Sequence, residues 1–399
     1  MNNGSKFKYF FMGVVVSSLF FSVFSLILMI FNLGVFSRDS VHGTGALTAE
    51  NIEKIGYFQQ LLETHYYEGV TEQDLADGVM YGLMETVGDP YTCYYSTEEM
   101  VELTSDLEGV FHGIGAYLEM DYDAGYAKIS GVIEGTPASG ADIQIGDFVI
   151  KVDGNDMYGM TLTDVVSQIR GEAGSKVVLT LSRNGKDLEV PVVRQNIETP
   201  TVEYELLEDG IAHITIIEFD DVTTSQFVEA MNKMTNDQAK GLILDVRGNP
   251  GGNLATVVEI CELMLPEGMI VYTEDKYGQR NEYKCDGDNE FELPLVLLID
   301  GGSASASEIL AGAIKDYGIG TLVGTTTYGK GIVQKIFQYE DGSAAKITVS
   351  KYYTPNGYNI HGVGIEPDVV VEFDADMYLN EEIDNQLQEA VKIILEEMK

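Results

Sequence analysis

Three serines stand at alternate positions, Ser303, Ser305 and Ser307, in the stretch DGGSASASEILAGAIKD (residues 300–316). The stretch follows an apolar run and precedes apolar residues at helical spacing, so it marks the point where a strand ends and a helix begins. A serine hydroxyl at such a turn is a candidate nucleophile. Ser305 and Glu308 also read S-x-x-E, a capping box that satisfies amides at a helix start. On this stretch alone, a structural cap is the better supported interpretation.

Two successive segments share one plan, a buried strand followed by a glycine-rich turn and a helical run. In the first, the apolar strand GLILDV (241–246) leads into the turn RGNPGG (247–252) and a helical run over 253–265. In the second, LPLVLLID (293–300) leads into the serine stretch. Continuous apolar runs bounded by turns are typical of buried strands, so the repeat indicates an α/β core with both turns at one end.

Both turns direct backbone amides from a helix start, where the helix dipole favours negative charge. RGNPGG lacks the G-x-x-x-x-G-K pattern of a phosphate-binding loop. The amides of Gly251 or Gly252, together with that of Ala306, therefore predict an oxyanion hole that would stabilise a tetrahedral acyl intermediate.

A serine nucleophile needs a base, and the five histidines of the chain do not supply an obvious one. None has a neighbourhood that marks a triad base, although His213 and His361 are not excluded by position. Lys330, in TTTYGKGIVQKIFQY (325–339), lies between two glycines ahead of an apolar continuation. A lysine desolvated in an apolar site can be neutral near pH 7 and accept the serine proton. Taken by itself, that segment is more typical of a hydrated turn lysine.

The composition limits the classes of partner. The sequence has 24 Lys and Arg residues against 64 Asp and Glu, a net charge of −40, which excludes nucleic acid or an anionic membrane surface as a partner of the soluble part. Cys93, Cys261 and Cys285 include no C-x-x-C pair, so neither a zinc ribbon nor a disulfide framework is indicated. No metal or organic cofactor is implied.

The N-terminus is apolar. No charged residue occurs in residues 9–37, which are dominated by Phe, Val, Leu and Ile, and a helix needs about 20 such residues to span a bilayer. A cleavable signal peptide has a shorter apolar region of about 7–15 residues. Lys6 and Lys8 precede the span, which favours residues 1–8 in the cytoplasm and the bulk outside. The sequence thus predicts a single-pass protein of the cell membrane.

Helical patterning covers residues 46–88, within an N-terminal helical region taken as 38–105, and we expect it to serve packing or contact in a homodimer. Residues 106–196 change to short strands bounded by Gly, Asn and Asp, with one helix-like segment over 163–170. Residues 197–372 alternate strands and helices and contain both glycine-rich turns. A C-terminal helical segment is expected over 373–399.

The stretch 106–196 resembles a PDZ domain, with GIGAYLE (113–119) at the position of the carboxylate-binding loop. Such a domain adds a peptide as an extra strand and holds its terminal carboxylate in a backbone nest. Gly113, Ile114 and Gly115 would let amides converge on that anion. Arg170 is a candidate to help hold the carboxylate, or to dock this domain on the next. The implied partners are proteins or peptides with accessible apolar C-termini.

Together these features resemble the C-terminal processing peptidases, also called tail-specific proteases. The resemblance rests on SASASEILAGAIKD with Lys330 following Ser305 after 25 residues, on LDVRGNPGG, on the PDZ segment, and on YYTPNGYNIHGVGIEPDV (352–369). It implies that Ser305 is the nucleophile, Lys330 the general base, and Gln334 the residue that orients the lysine. In a regular strand Lys330 and Gln334 would lie about 13 Å apart, so direct pairing requires a bend at the glycines.

The implied fold is α/β: a crotonase-like ββα protease core with an inserted PDZ β-domain, an N-terminal helical region and a single membrane-spanning helix. The implied function is that of a membrane-anchored extracytoplasmic serine endopeptidase that recognises substrate C-termini. Two alternatives fit parts of the pattern. An acyl-CoA enzyme of crotonase type would use the same paired amides, and a non-catalytic PDZ scaffold would use Ser305 only as a cap.

Overall fold

The structure is a computed structural model, and it describes residues 45–399. The expected membrane span at residues 9–37 lies outside the described residues. Among the helices of residues 45–399, none is long and apolar enough to cross a membrane. The chain divides into two units, Met1–Gly82 and Leu83–Lys399.

The described part of the first unit contains two helices. These are α1 (Ala49–His65) and most of α2 (Glu72–Glu85), whose last residues belong to the second unit. The Thr48 side chain caps α1 by accepting a hydrogen bond from the Asn51 amide at 3.2 Å. Neither helix contains a buried residue. The apolar face of α1 is exposed, including Ile52 and Phe58, and its use in a homodimer stays a prediction.

The region predicted to be helical as far as residue 105 also contains a strand. Three residues form β1 (Cys93–Tyr95), and α3 (Thr97–Glu108) follows. β1 pairs antiparallel with residues 344–346 of a later strand. The helical expectation was therefore wrong at this point, because the extended segment satisfies its backbone groups on the edge of a distant sheet rather than locally.

The segment with the PDZ resemblance forms a small β-domain. Its elements are β2 (Val110–Gly113), β3 (Ala116–Asp121), β4 (Tyr126–Val132), α4 (Pro137–Gly140), β5 (Phe148–Val152), β6 (Asn155–Asp156), α5 (Leu162–Ile169), β7 (Lys176–Arg183), β8 (Lys186–Val193) and β9 (Gln195–Glu198). The sheet order is β3-β4-β5-β7-β8, and β2 pairs with β9 where the chain enters and leaves. Alternate residues of β7, such as Leu179 and Leu181, are buried in its core, as expected for a sheet with one wet face.

The main domain contains the remaining elements. They are β10 (Val202–Leu206), β11 (Ile211–Ile216), α6 (Thr223–Asn236), β12 (Gly241–Asp245), α7 (Leu254–Glu262), β13 (Gly268–Asp275), β14 (Arg280–Cys285), β15 (Leu295–Ile299), α8 (Ala306–Tyr317), β16 (Thr321–Gly324), β17 (Ile332–Gln338), β18 (Ala344–Tyr353), β19 (Val369–Val370), α9 (Ala375–Glu381) and α10 (Asn385–Glu397). Both predicted core strands, β12 and β15, are buried at every residue.

The central sheet has the order β10-β11-β12-β15-β16-β19 and is parallel from β11 onward. Leu242 and Leu244 of β12 pack in a core cluster with apolar residues of α6, α7 and α8. Ile243, between them, packs in a separate cluster with Ala390 and Ile394 of α10. The sheet is thus covered on both faces, which explains why its strands read as continuous apolar runs.

Because β12 and β15 are parallel neighbours, the turns that follow them lie at the same edge of the sheet, as the sequence predicted. A second sheet, with the order β14-β13-β18-β1, adds β17 alongside β18. The hairpin of β17 and β18 is preceded by the loop that contains Lys330. The two sheets therefore supply the serine turn and the lysine loop respectively.

Arg247 ties the C-terminal helix to the turn after β12. Its guanidinium contacts Asp245 at 2.6 Å and Asp384 at 2.8 Å, and it donates to the Gln386 amide oxygen at 2.9 Å. Burial acts to raise the pKa of Asp245, but hydrogen bonds from His213 and Arg247 hold that pKa below its ordinary value. Asp245 thus remains a carboxylate inside the protein, and His213 is committed to this cluster.

Candidate active site

The serine turn has an unusual backbone at its centre. Ser305, the residue before α8, has φ 54° and ψ −110°, a positive φ that non-glycine residues seldom adopt. Asp300 holds the preceding residues, since its Oδ1 accepts hydrogen bonds from the amides of Gly248 and Gly302, each at 2.8 Å. The turn after β12 and the serine turn therefore share one carboxylate.

The outer two serines have structural partners. Ser303 is fully buried and donates to the Val246 carbonyl at 2.7 Å. Ser307 is also buried and donates to the Asn249 carbonyl at 3.0 Å. Both hydroxyls thus bind the serine turn to the RGNPGG turn. Ser305, between them, is half-buried, so of the three serines it is the one that a substrate could reach.

The predicted capping box at Ser305 is formed on its Glu308 side. The Glu308 carboxylate accepts a hydrogen bond from the Ser305 amide at 2.9 Å. The Ser305 side chain makes no capping hydrogen bond, and the Glu308 amide donates instead to the Ser305 carbonyl at 3.0 Å. The cap therefore depends on the carboxylate of Glu308 more than on the serine hydroxyl.

The structure distinguishes between the two glycines expected at the oxyanion hole. The Gly251 amide donates to Asn249 Oδ1 at 2.8 Å, so it is not available to a substrate oxygen. The amides of Gly252 and Ala306 donate to no residue within 45–399. These two amides are the pair that could bind an oxyanion, and the choice of Gly251 is corrected.

Gly251 has a different use, which is to allow close approach. A Cβ atom at this position would lie 2.7 Å from the Ser305 Cβ and 3.0 Å from the Ala306 amide nitrogen, so only glycine fits without a shift. Its φ of 104° also favours glycine. Removing the side chain here lets the two turns meet beside Ser305.

Glu308 connects the serine turn to the lysine loop. Its side chain is fully buried, and its Oε2 accepts hydrogen bonds from the amides of Ser305 at 2.9 Å and Lys330 at 2.8 Å. Its Oε1 accepts from the Thr327 hydroxyl at 2.6 Å and the Gly329 amide at 2.7 Å. Four donors satisfy this buried carboxylate, so the positions of the two segments depend on it.

Tyr352, near the end of β18, makes a second connection between the same segments. Its hydroxyl lies against the backbone carbonyls of Ser305, at 2.9 Å, and of Lys330. Burial raises the pKa of Tyr352 well above its ordinary value, and the nearby Glu308 carboxylate adds to this effect. The phenol therefore stays protonated. The backbone amides of Ser305 and Lys330 thus share Glu308 as a partner, and their backbone carbonyls share Tyr352.

The Lys330 side chain is half-buried and faces an aromatic ring. Its Nζ lies 4.8 Å from the centre of the Tyr91 ring and makes no ion pair with any residue in the described part of the chain. Burial lowers the pKa of Lys330, and the positive charge of Lys346 lowers it further, while Glu308 opposes both. The net direction favours the neutral amine.

Gln334 is held differently from the direct pairing expected with Lys330. Its amide nitrogen lies 3.4 Å from the Thr348 hydroxyl and 3.5 Å from the Ile332 carbonyl. Lys330 precedes β17, and the ladder with β18 shifts register between Val333 and Gln334. The irregularity in the strand pairing therefore lies within β17, a few residues after the glycines where the bend was expected.

The loop with the PDZ resemblance borders a cavity of about 380 Å³. All four predicted residues line it: Gly113, Ile114, Gly115 and Arg170. A Cβ at Gly115, which has φ 81°, would lie 2.3 Å from the Thr136 side chain. The amides of Ile114 and Gly115 donate to no residue in the described chain, so they could receive an anion. Arg170 lies 5.6 Å from the Phe111 ring centre.

Three functional candidates were missed in the sequence. Glu308 was noted only as a cap, although its main contacts are with residues 327–330. Tyr352 was part of a quoted motif without a role. Tyr91 was given no role from the sequence. Residues 45–399 hold no group of three or more His, Cys, Asp or Glu side chains that could bind a metal ion.

A half-buried serine whose turn is joined through one carboxylate to the loop of a half-buried lysine, with unpaired amides at Gly252 and Ala306 and a PDZ-like domain ahead of it, is typical of a serine-type peptidase that processes C-termini. Comparison with known families agrees. The chain matches the Peptidase family S41 model over residues 210–371, a PDZ domain model over 128–183, and the model of the activating protease CtpB N-terminal domain over 35–99.

Named relatives extend the match over most of the chain. The carboxy-terminal-processing protease of Bartonella bacilliformis is 35% identical over 334 residues, which cover 82% of this chain and 76% of that protein. The carboxy-terminal processing protease CtpA of Bacillus subtilis is 35% identical over 322 residues, 80% of this chain and 69% of its own. The solved photosystem II D1 C-terminal processing protease is 27% identical with a TM-score of 0.47, covering 79% of this chain and 86% of that one.

The chain therefore belongs to peptidase family S41, and it is a serine-type peptidase with one PDZ domain. This membership replaces the two alternatives, the acyl-CoA enzyme and the non-catalytic scaffold.

Replacing Glu308 by glutamine tests its connecting role. In Glu308→Gln, an NH₂ group must face two of the four donors, so we expect a loss of about 1–3 kcal/mol in the free energy of unfolding together with slower peptide cleavage. Urea unfolding and cleavage rates measure the two effects. The matched control is Glu259→Gln, which changes an exposed carboxylate with one hydroxyl donor, Thr224. Equal behaviour of the two variants would contradict the role of Glu308.

Proposed function

We propose that Ser305 is the nucleophile of this peptidase and that Lys330 is its general base. The observation that carries the proposal is that one buried carboxylate, Glu308, accepts hydrogen bonds from the backbone amides of both residues. Burial lowers the pKa of Lys330, and this shift is toward the neutral amine that the chemistry requires.

In the acylation step, neutral Lys330 takes the proton of the Ser305 hydroxyl while Oγ forms a bond to the scissile carbonyl carbon. The carbonyl oxygen becomes an oxyanion, which the amides of Gly252 and Ala306 bind; such donors contribute about 10²–10³-fold in rate. The C–N bond then breaks, and Lys330 gives its proton to the leaving amine. Water attacks the resulting ester, again with Lys330 as the base, and Ser305 is regenerated.

The third residue, Gln334, acts on the base side of the site. Its hydrogen bond to Thr348 fixes the strand that follows the lysine loop, and this supports an orienting role. An orienting residue does not itself take the proton, so its loss should matter less than that of Lys330.

The proposal predicts strongly non-additive losses. Ser305→Ala and Lys330→Ala should each abolish cleavage of an unstructured protein while retaining the fold, and the double variant should be no worse than either. Gln334→Ala should lose less. In the parent, activity should rise with pH through the lowered pKa of Lys330, because only the neutral amine accepts a proton. Substitutions of His213 and His361 are the controls; loss of activity in either, with Lys330→Ala still active, would favour a histidine mechanism instead.

We further propose that the PDZ domain selects substrates by a free apolar C-terminus. The amides of Ile114 and Gly115 would bind the carboxylate, as in peptide capture by a backbone nest. The cavity beside them is partly apolar, with Val166 and Leu118 in its lining, and Arg170 at its edge adds positive charge.

Tail recognition predicts that an amidated substrate is processed poorly compared with the same peptide bearing a free carboxylate. Gly115→Val should slow cleavage of the free-acid peptide, because its side chain would collide with Thr136. Cleavage rates of the two peptides by both enzymes provide the measurement. Equal rates for free and amidated ends would remove tail recognition from the account.

We also propose that residues 9–37 anchor the protein in the cell membrane, with residues 1–8 in the cytoplasm and the catalytic part outside. The uncharged length of that segment and the two lysines ahead of it support this topology. Protease added to intact cells should then degrade the C-terminal bulk, whereas a cytoplasmic marker protein stays intact. Degradation only after lysis would reverse the assignment.

A further inference from the structure

The turn at residues 88–92 is far from Ser305 in sequence, and its Tyr91 ring lies against the side chain of Lys330. In the segment 88–92, Asp89 accepts hydrogen bonds from the Tyr91 amide at 3.0 Å and the Thr92 hydroxyl at 2.7 Å. The Thr92 amide donates to the Asp89 carbonyl at 3.1 Å. These three bonds close the turn and fix the direction of the Tyr91 side chain between them.

The turn is also bound to the strand that faces Gln334. The Thr348 amide donates to the Thr92 hydroxyl at 3.1 Å, and the Thr348 hydroxyl accepts from Gln334 at 3.4 Å. Partial burial acts to raise the pKa of Asp89, but hydrogen bonds from Thr348 and Thr92 lower it overall, so this carboxylate stays charged. The turn is thus connected to Gln334 through Thr348.

The Tyr91 ring is the part of the turn that meets the lysine. Its centre lies 4.8 Å from Lys330 Nζ, and its hydroxyl hydrogen-bonds with that of Tyr328 at 3.3 Å. This hydrogen bond, followed by burial, raises the pKa of Tyr91 to about 12. Lys330 is therefore covered by a neutral aromatic face rather than by a phenolate.

Other groups act on Lys330 from each element around it. Glu308 acts from α8 and Lys346 from β18, with opposite electrostatic effects, and Tyr328 stands in the same loop. Lys346 itself is held by the Tyr95 hydroxyl at 2.6 Å. None of these side chains covers the amine with an apolar surface. A ring face attracts an ammonium, but it also excludes water, which solvates the charge better.

We propose that Tyr91 is a positioning residue for the reaction: its ring holds the Lys330 amine at the serine and keeps water away from it. This inference rests on the proposed base role of Lys330. Its consequence is that the turn 88–92, outside the matched peptidase core at residues 210–371, is a part of the catalytic apparatus.

The test is the rate at which a fluorophosphonate labels Ser305 in the purified full chain, measured across a pH series. Tyr91→Ala admits water to Lys330 and relieves the burial that lowers its pKa, so we expect the midpoint of the pH profile to move upward by roughly one pH unit. Tyr91→Phe retains the ring and should have the parent midpoint. The matched control is Tyr277→Ala, which removes an exposed ring 5.1 Å from Lys276 and should shift nothing.

Two results would overturn the inference: an unchanged midpoint in Tyr91→Ala, or an equal shift in Tyr91→Phe and Tyr91→Ala. If Tyr91→Ala does not fold, as judged by thermal unfolding, Tyr91→Gln replaces the ring by a hydrated side chain and should move the midpoint in the same direction; no shift would contradict the role of the ring. Labelling that persists in Lys330→Ala would instead refute the base assignment, so the two failures are distinguishable.

Discussion

One buried carboxylate holds the site together. Glu308 has no exposed surface, and it accepts hydrogen bonds from the serine turn and from the lysine loop. A charge in such a place is tolerated only when donors surround it. Every donor belongs to the serine turn or to the lysine loop, so the same bonds that stabilise the carboxylate also hold these two segments together. Tyr352 repeats this connection on the carbonyl side.

The parallel sheet provides the other half of the geometry. β12 and β15 are neighbours, so the turns that follow them meet at one edge, and the missing side chain of Gly251 lets them approach closely. The alternating serines then have separate uses. Ser303 and Ser307 bind the turns to each other, whereas Ser305 between them is half-buried. The hydroxyls that stabilise the turns are thus not the one to which we assign the chemistry.

Local patterns in the sequence predicted the parts of the structure that local physics determines. The apolar runs predicted β12 and β15, and the capping box predicted the start of α8. Contacts between distant residues were not predictable in this way. Glu308 meets Lys330 across 22 residues and Tyr352 meets Ser305 across 47, and no periodicity reports such a pairing. β1 was missed for the same reason, because its partner strand lies about 250 residues away.

The central claim is that Ser305 attacks a carbonyl whose oxygen then lies between the amides of Gly252 and Ala306. A crystal structure of the enzyme after reaction with a peptidyl phosphonate tests it most directly, because the phosphonyl group imitates the tetrahedral intermediate. The account predicts a bond from Ser305 Oγ to phosphorus, with one phosphonyl oxygen about 2.7–3.1 Å from both amide nitrogens. A bond to another residue, or an oxygen bound at Gly251 instead, would contradict it.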